Sequence, residues 1–304
     1  MPKVSIVIPT KDREQDLNLL LNSIKKSTFK NYEIIIVNNS NTSLNKKIYD
    51  FDKIYKIIEN HKNVGLAKAR NQGAEISNGD YVLFVDDDNI FEENCISNLT
   101  QTLDENKIFL ACGPATYYYS NKEKIWFLGN KYNFNTSFFK FFYNLEAIEK
   151  INQRFIETDT LHNCLMVRRI LGQKYNWFDE KVYLSGTEFD FFLKLKRKIK
   201  GSVVTDIDAT CFHNVPFDFN KNILRRHGIS DKDSKRLFYI QRNRAVIIKR
   251  YGNIVNQVSL FFIYILLFSY YFFIILINNN LQLQKENFFG VLAGYRYLLT
   301  KRLK

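Results

Sequence analysis

The stretch Tyr81-Val82-Leu83-Phe84-Val85-Asp86-Asp87-Asp88 carries the densest chemistry in the chain, an apolar strand-forming run that ends in consecutive carboxylates. Carboxylates so crowded repel one another unless a cation sits among them. Side chains alternate along a strand, so Asp86 and Asp88 are expected to project together while Asp87 turns away. A divalent cation with oxygen ligands suits that geometry. Two further polar clusters follow apolar runs in the same manner: Pro9-Thr10-Lys11 after residues 4–8, and Asn38-Asn39-Ser40 after residues 33–37.

The elements that must position these clusters alternate in type. Residues 4–8, 33–37, 54–58 and 81–85 read as strands, the last entered through the turn signal Asn78-Gly79-Asp80. Between the first two, Asp12 and Gln15 form a capping-box-like pair opening a helix whose Leu17, Leu20, Leu21 and Ile24 share one face. Residues 65–76 read as a second helix. Such alternation implies βαβ units, right-handed crossovers and a mostly parallel, Rossmann-like central sheet flanked by helices. Ligands of these sheets sit beyond the carboxyl ends of the strands, where all three polar clusters fall. Beyond Asn106 the alternation loosens. Residues 107–165 mix strands with aromatic segments such as Trp126-Phe127, and 189–198 read as a helix leading to strands near Val203 and Thr210.

Composition narrows the class. With 304 residues, 46% hydrophobic and 25% charged, the chain is globular and not wholly disordered. A formal net charge of +13 implies an anionic partner. Cys95, Cys112, Cys164 and Cys211 are far apart, without a C-x-x-C pair, and Met1-Pro2-Lys3 leads straight into a strand. They read as buried free thiols, which places the catalytic part in the cytosol. Residues 258–277 contain no charge, Gly or Pro, and are long enough to cross a bilayer. Arg244, Lys249 and Arg250 precede the run and Lys285 follows it, so its N-terminal side is expected in the cytosol. Phe288, Val291, Leu292, Tyr295, Leu298 and Leu299 then follow helical spacing beside Arg296, Lys301, Arg302 and Lys304, as in a basic interfacial helix.

The order of motifs resembles the family-2 glycosyltransferases, which have the GT-A fold. The resembling segments are SIVIPTKDR at 5–13, IIIVNNSN at 34–41, NVGLAKARNQGAEISNGDYVLFVDDDN at 63–89, FDEKVYLSGTEFDFFLKLKRK at 178–198 and CFHNVP at 211–216. RNRAVIIKRYG at 242–252, followed by the apolar run and basic end, resembles membrane-associated bacterial and archaeal members, including those called rhamnosyltransferase-like. The resemblance implies that Thr10, Asp12 and Asn38 border the nucleobase and ribose, with Pro9 and Asp87 also in the nucleotide-sugar site. Arg70 would lie near the diphosphate or base, and Asp86 near the ribose and metal. Asp88 would ligate Mn²⁺ or Mg²⁺ directly, and His213 matches a late histidine that contacts metal or diphosphate. Asn38 stands where the family commonly has Asp, which leaves the nucleobase open. Thr187-Glu188 stands where Glu-Asp is common. Glu188 is then the base candidate and Asp190 the runner-up, the structural alternative being that Glu188 caps a helix.

The expected enzyme is a metal-dependent inverting glycosyltransferase. Its donor would be a nucleotide diphosphate sugar, and its acceptor a lipid-linked saccharide or polyprenyl phosphate in glycan or polysaccharide assembly. The expected organisation is a catalytic domain over 1–225, a helical connector over 226–257, and membrane-associated helices over 258–304 on the cytoplasmic face of the cell membrane. Two rivals fit less well. A sugar-nucleotide phosphate transferase carries a Gly-rich loop after its first strand, and Pro9-Thr10-Lys11-Asp12-Arg13 has no Gly. A basic nucleic-acid-binding protein would show a helix-turn-helix, zinc-ligand or RNP-like pattern, and none is evident.

Overall fold

The computed structural model describes residues 1–44, 54–142, 153–216, 235–277 and 281–303, with backbone alone at 54–55, 271, 274–277 and 281. Its strands are β1 (Val4–Thr10), β2 (Tyr32–Asn38), β3 (Ile54–Glu59), β4 (Tyr81–Val85), β5 (Asn89–Phe91), β6 (Phe109–Tyr118), β7 (Asn121–Phe127), β8 (Asn130–Asn133), β9 (Phe138–Phe141), β10 (Phe155–Thr158), β11 (Cys164–Arg168) and β12 (Ser202–His213). The helices are α1 (Glu14–Lys26), α2 (Leu66–Glu75), α3 (Cys95–Glu105), α4 (Arg169–Tyr175), α5 (Thr187–Lys198), α6 (Lys235–Tyr251), α7 (Ile254–Ile277) and α8 (Leu281–Thr300). Contacts divide the chain into two units: 1–131 with 141–178 and 191–217, and 132–140 with 179–190 and 218–304. The expected boundaries lay at 225 and 257; α6 packs as a core helix of the second unit.

In the first unit a ten-stranded sheet runs β10-β12-β6-β11-β4-β1-β2-β3, with β5 on β12 and β7 on β6. The expectation of a mostly parallel sheet is corrected. β1 is parallel to β2 and β4, β2 to β3, and β6 to β12, but β11 enters antiparallel between β4 and β6. The sheet is therefore mixed. Alternating residues feed two apolar layers, as the pleat requires. Ile6, Ile8, Ile34, Ile36 and Leu83 pack with Leu17, Leu20, Leu21 and Ile24 of α1 and Leu99 of α3. On the other face Val7, Ile35, Val82 and Phe84 meet Ala69 and Ala74 of α2 and Phe191, Phe192 and Leu195 of α5. Gly73 lets α2 approach the sheet, since a Cβ there would overlap Val7.

The four cysteines are free and buried, and burial pushes the thiols of Cys95, Cys112 and Cys164 well above their ordinary pKa. The capping box expected from Asp12 and Gln15 does not form. Asp12 lies at φ +55° with its N–H donating to Ser40 Oγ at 2.8 Å, and α1 starts after Arg13 with no side-chain cap.

The second unit gathers Leu237, Ala245, Val246 and Ile248 of α6 around Leu260 and Tyr264 of α7 and Leu283, Val291 and Tyr297 of α8. The Tyr264 hydroxyl, fully buried, donates to the Gln241 carbonyl at 2.5 Å. Thus α7 is packed on one side, whereas Phe262 (60%), Leu266 (69%) and Phe273 (62%) are exposed on the other. No helix among the described residues is long and apolar enough to cross a membrane.

Candidate active site

β1 and β2 run in register to their last residues, Thr10 opposite Asn38, and β4 stops at Val85 beside them. Their three polar clusters meet at this edge. Thr10 Oγ1 donates to Asp87 Oδ2 at 2.7 Å, and Arg13 Nη1 reaches Asp87 Oδ1 at 3.2 Å and Asp88 Oδ2 at 2.7 Å. Asp87 and Asp88 thus share one guanidinium, and Asp86 takes a different cation, Arg70 Nη2 at 2.7 Å. Strand alternation does not carry past Val85, because Asp86-Asp87-Asp88 form a turn in which Asn89 N–H donates to the Asp86 carbonyl. The pairing of Asp86 with Asp88 expected from a strand is corrected accordingly.

β12 brings the fourth cluster. Its last residue, His213, pairs with Asn89 of β5 and Tyr118 of β6, and its Nε2 lies 3.3 Å from Asp88 Oδ1. The Asn214 N–H donates to the Asp88 carbonyl at 2.7 Å, so backbone as well as side chain fixes this junction. Trp126 meets the imidazole edge-on at 4.3 Å between ring centres. His213 Nδ1 is buried and has no hydrogen-bond partner among the described residues.

The electrostatics follow from burial and neighbours. Asp87, 5% exposed, is pushed up to about 6 by burial, against the pull of Thr10 and Arg13. Burial also acts to raise Asp88, but the hydrogen bond and charge of His213, then Arg13, outweigh it and hold the carboxyl below its ordinary value. Arg13 supplies the cation that the acidic cluster demands. Sequence reasoning gave it no role, although the need for a counter-charge was the signal.

Asp88 and His213 offer a carboxylate oxygen and an imidazole nitrogen at one point, a donor pair suited to Mn²⁺ and acceptable to Mg²⁺. Among the described residues no group of three His, Cys, Asp or Glu forms a metal centre.

Three other expected site residues are buried. Pro9 is buried within β1 opposite Val37. Asn38 is fully buried, its Nδ2 donating to Glu59 Oε2 at 2.7 Å and the Thr42 carbonyl at 2.8 Å, and its Oδ1 accepting from Ser40 N–H at 2.9 Å. Its amide group is committed within the protein. Arg70, on α2, is likewise fully buried, over the Phe178 ring.

Glu188 and Asp190 belong to the second unit, at the start of α5. Their surroundings differ. Asp190 is 1% exposed, bound by Arg250 Nη1 at 2.8 Å and the Tyr251 hydroxyl at 2.9 Å, while Glu188 is half-buried. Arg250 also holds Asp179 at 2.7 Å. Arg242 donates to the Lys181 carbonyl and Asn243 to those of Tyr183 and Ser185. The 242–252 motif therefore clamps the segment leading into α5, a role its sequence did not disclose.

The fold is that of the GT-A class. It superposes with a TM-score of 0.61 on GalNAc-T7 crystallised with UDP, GalNAc and Mn²⁺, at 15% identity, over 83% of this chain and 53% of that one. The TarS 1–349 fragment of S. aureus in complex with UDP-GlcNAc gives 0.58 at 17% identity, over 85% and 70%. Residues 5–171 match the model of glycosyl transferase family 2, and the chain belongs to that family. Among its relatives, a glycosyltransferase of Haemophilus influenzae is 33% identical over 105 residues, 34% of this chain and 35% of that protein. Glycosyltransferase YwdF of Bacillus subtilis is 28% identical over 197 residues, 63% and 67% of the two chains. The GalNAc(5)-diNAcBac-PP-undecaprenol beta-1,3-glucosyltransferase of Campylobacter jejuni is 29% identical over 110 residues, 34% and 36%. The chain thus spans about a third of the length of the Haemophilus relative.

Proposed function

We propose that this protein transfers a sugar from a nucleotide diphosphate donor to a hydroxyl of a lipid-linked acceptor, by a single displacement with inversion. The observation that carries the reading is the convergence of Thr10, Arg13, Asp87, Asp88 and His213 beyond the carboxyl ends of parallel strands. UDP is the favoured nucleotide, since the GalNAc-T7 and TarS structures hold UDP or a UDP-sugar. The undecaprenol-linked substrate in the name of the Campylobacter relative supports a lipid-linked acceptor.

Asp88 and His213 would hold a divalent cation. Bound there, Mn²⁺ or Mg²⁺ supplies Lewis-acid stabilisation of the charge gathering on the departing diphosphate. Arg13, 52% exposed at its side chain, is free to turn from the carboxylates toward phosphate oxygens. Glu188 takes the acceptor proton as that oxygen bonds to the anomeric carbon and the bond from carbon to the diphosphate oxygen breaks. Asp190, held by Arg250 and Tyr251, keeps the start of α5 in place. Membrane attachment through 258–304, on the cytoplasmic face, rests on the exposed apolar side of α7 and the basic end that follows.

The test is a thermal-stability screen of UDP-, GDP- and dTDP-sugars with and without Mn²⁺. A ligand at 100 times its Kd stabilises the folded state by about 2.7 kcal/mol. One donor is expected to stabilise the wild type with Mn²⁺ and to lose that effect in Asp88→Ala. Sugar transfer that continues undiminished in EDTA sinks the metal-dependent mechanism.

A further inference from the structure

Arg242 is a buried charge that forms no ion pair among the described residues, its guanidinium lying 4.7 Å from the centre of the Tyr239 ring. It is 6% exposed, and its hydrogen bonds go to the Asn243 side-chain oxygen at 2.9 and 2.8 Å and to the Lys181 carbonyl at 2.6 Å, all neutral acceptors. The nearby carboxylate Asp179 acts on Arg242 only at a distance, being bound by Arg250 at 2.7 Å. Burial accordingly pulls its pKa down. A guanidinium so placed is costly unless an anion joins it.

The same side chain lines a cavity of about 240 Å³ within the second unit. Arg296 of α8 and Arg302 line it too, both exposed, and the remaining wall is apolar, chiefly Phe238, Phe289 and Leu292. Phe289 and Leu292 are 47% and 46% exposed, so the apolar wall continues onto the surface. Three guanidiniums match a phosphate, whose oxygens accept paired N–H donors. The apolar wall matches a hydrocarbon chain attached to it. A free phosphate would leave that wall uncovered.

We propose that this cavity binds the phosphate end of a membrane lipid. The phosphate oxygens meet Arg242, Arg296 and Arg302, and the first carbons of the chain lie along Phe238, Phe289 and Leu292. The proposal rests on the membrane-attachment reading for its choice of a lipid, and it is tested apart from sugar transfer.

The experiment measures binding of the full-length protein to phosphatidylcholine vesicles containing phosphatidic acid, or oleate at equal surface charge. The wild type is expected to prefer phosphatidic acid by about tenfold, the size of one added charge-assisted contact. Ala293→Phe fills the cavity without changing charge, since Ala293 lines it, and should erase the preference while adding apolar surface. Arg296→Gln with Arg302→Gln should do the same. Lys285→Gln with Lys301→Gln, exposed cations outside the cavity, should weaken both vesicle types equally. A wild type without the preference, or an Ala293→Phe variant that keeps it, overturns the proposal. Should the wild type bind no vesicle, the membrane reading falls, and calorimetry with dihexanoyl phosphatidic acid decides the cavity alone. Heat that Ala293→Phe abolishes supports the site; no heat, or equal affinity for inorganic phosphate, overturns it.

Discussion

Glu188 and Asp190 stand two residues apart at the start of one helix, and their partners assign them different work. Glu188→Gln is expected to keep donor binding and to slow transfer by about 10²–10⁴, as for loss of a positioned base. Asp190→Asn should instead cost stability, by about 1–3 kcal/mol, because the buried contacts to Arg250 and Tyr251 weaken while Asp179 still pairs with Arg250. Chemical denaturation beside single-turnover kinetics separates the two; an Asp190→Asn protein of full stability and no turnover would move the base to Asp190. The sequence showed which residue types gathered here but not their pairings. Asp86, Asp87 and Asp88 were legible as a cluster needing a cation, whereas the choice of Arg70 for one and Arg13 for the other two depends on a turn that strand periodicity does not describe. Asn38 shows the same limit. Its position at a strand end was readable, but Glu59, which claims its amide, is 21 residues away in the chain.

Elements with one dominant periodicity were the legible ones. β4 has the expected ends, and β1, β2 and β3 differ from expectation by a residue or two, because apolar runs bounded by polar turns state their own limits. β11 was not legible as an antiparallel insertion, since its neighbours β4 and β6 are set by long-range pairing. Likewise the two strands expected near Val203 and Thr210 are one, β12, with a register shift between Asp206 and Thr210. Packing at this scale yields two predictions. Gly73→Ala should destabilise the first unit by about 1–3 kcal/mol, the usual cost of forcing atoms into a filled contact, measured by urea denaturation. Asp179 carries a pH dependence. Burial acts to raise its pKa, but the Lys181 N–H and Arg250 outweigh that and hold it below the ordinary value. A depressed carboxyl contributes stability that is complete above the unfolded value, about 3.9, and is lost as pH falls through the folded one. The melting temperature of Asp179→Asn should therefore fall less than that of the wild type as pH drops below about 4.

For the whole molecule, the distinction between a membrane appendage and a folded unit has practical force. Residues 258–304 contribute Leu260, Tyr264, Leu283 and Val291 to the core that buries α6, so their deletion should strip that core and cost yield. A cleaner release replaces residues on the exposed side alone. Phe262→Asp with Leu266→Asp should leave the melting temperature within a degree or two, as surface changes do, and shift the protein from the membrane fraction to the soluble one. A variant still wholly in the membrane fraction would argue against this face as the anchor. The distribution of chromophores and thiols then offers an unplanned measuring device. Trp126 and Trp177, and all four cysteines, fall in the first unit, and none falls in 132–140, 179–190 or 218–304. Indole emission and the rate of thiol labelling consequently watch the first unit and are blind to the second. Any melting step seen by far-ultraviolet circular dichroism, yet silent in both, belongs to the helices of the second.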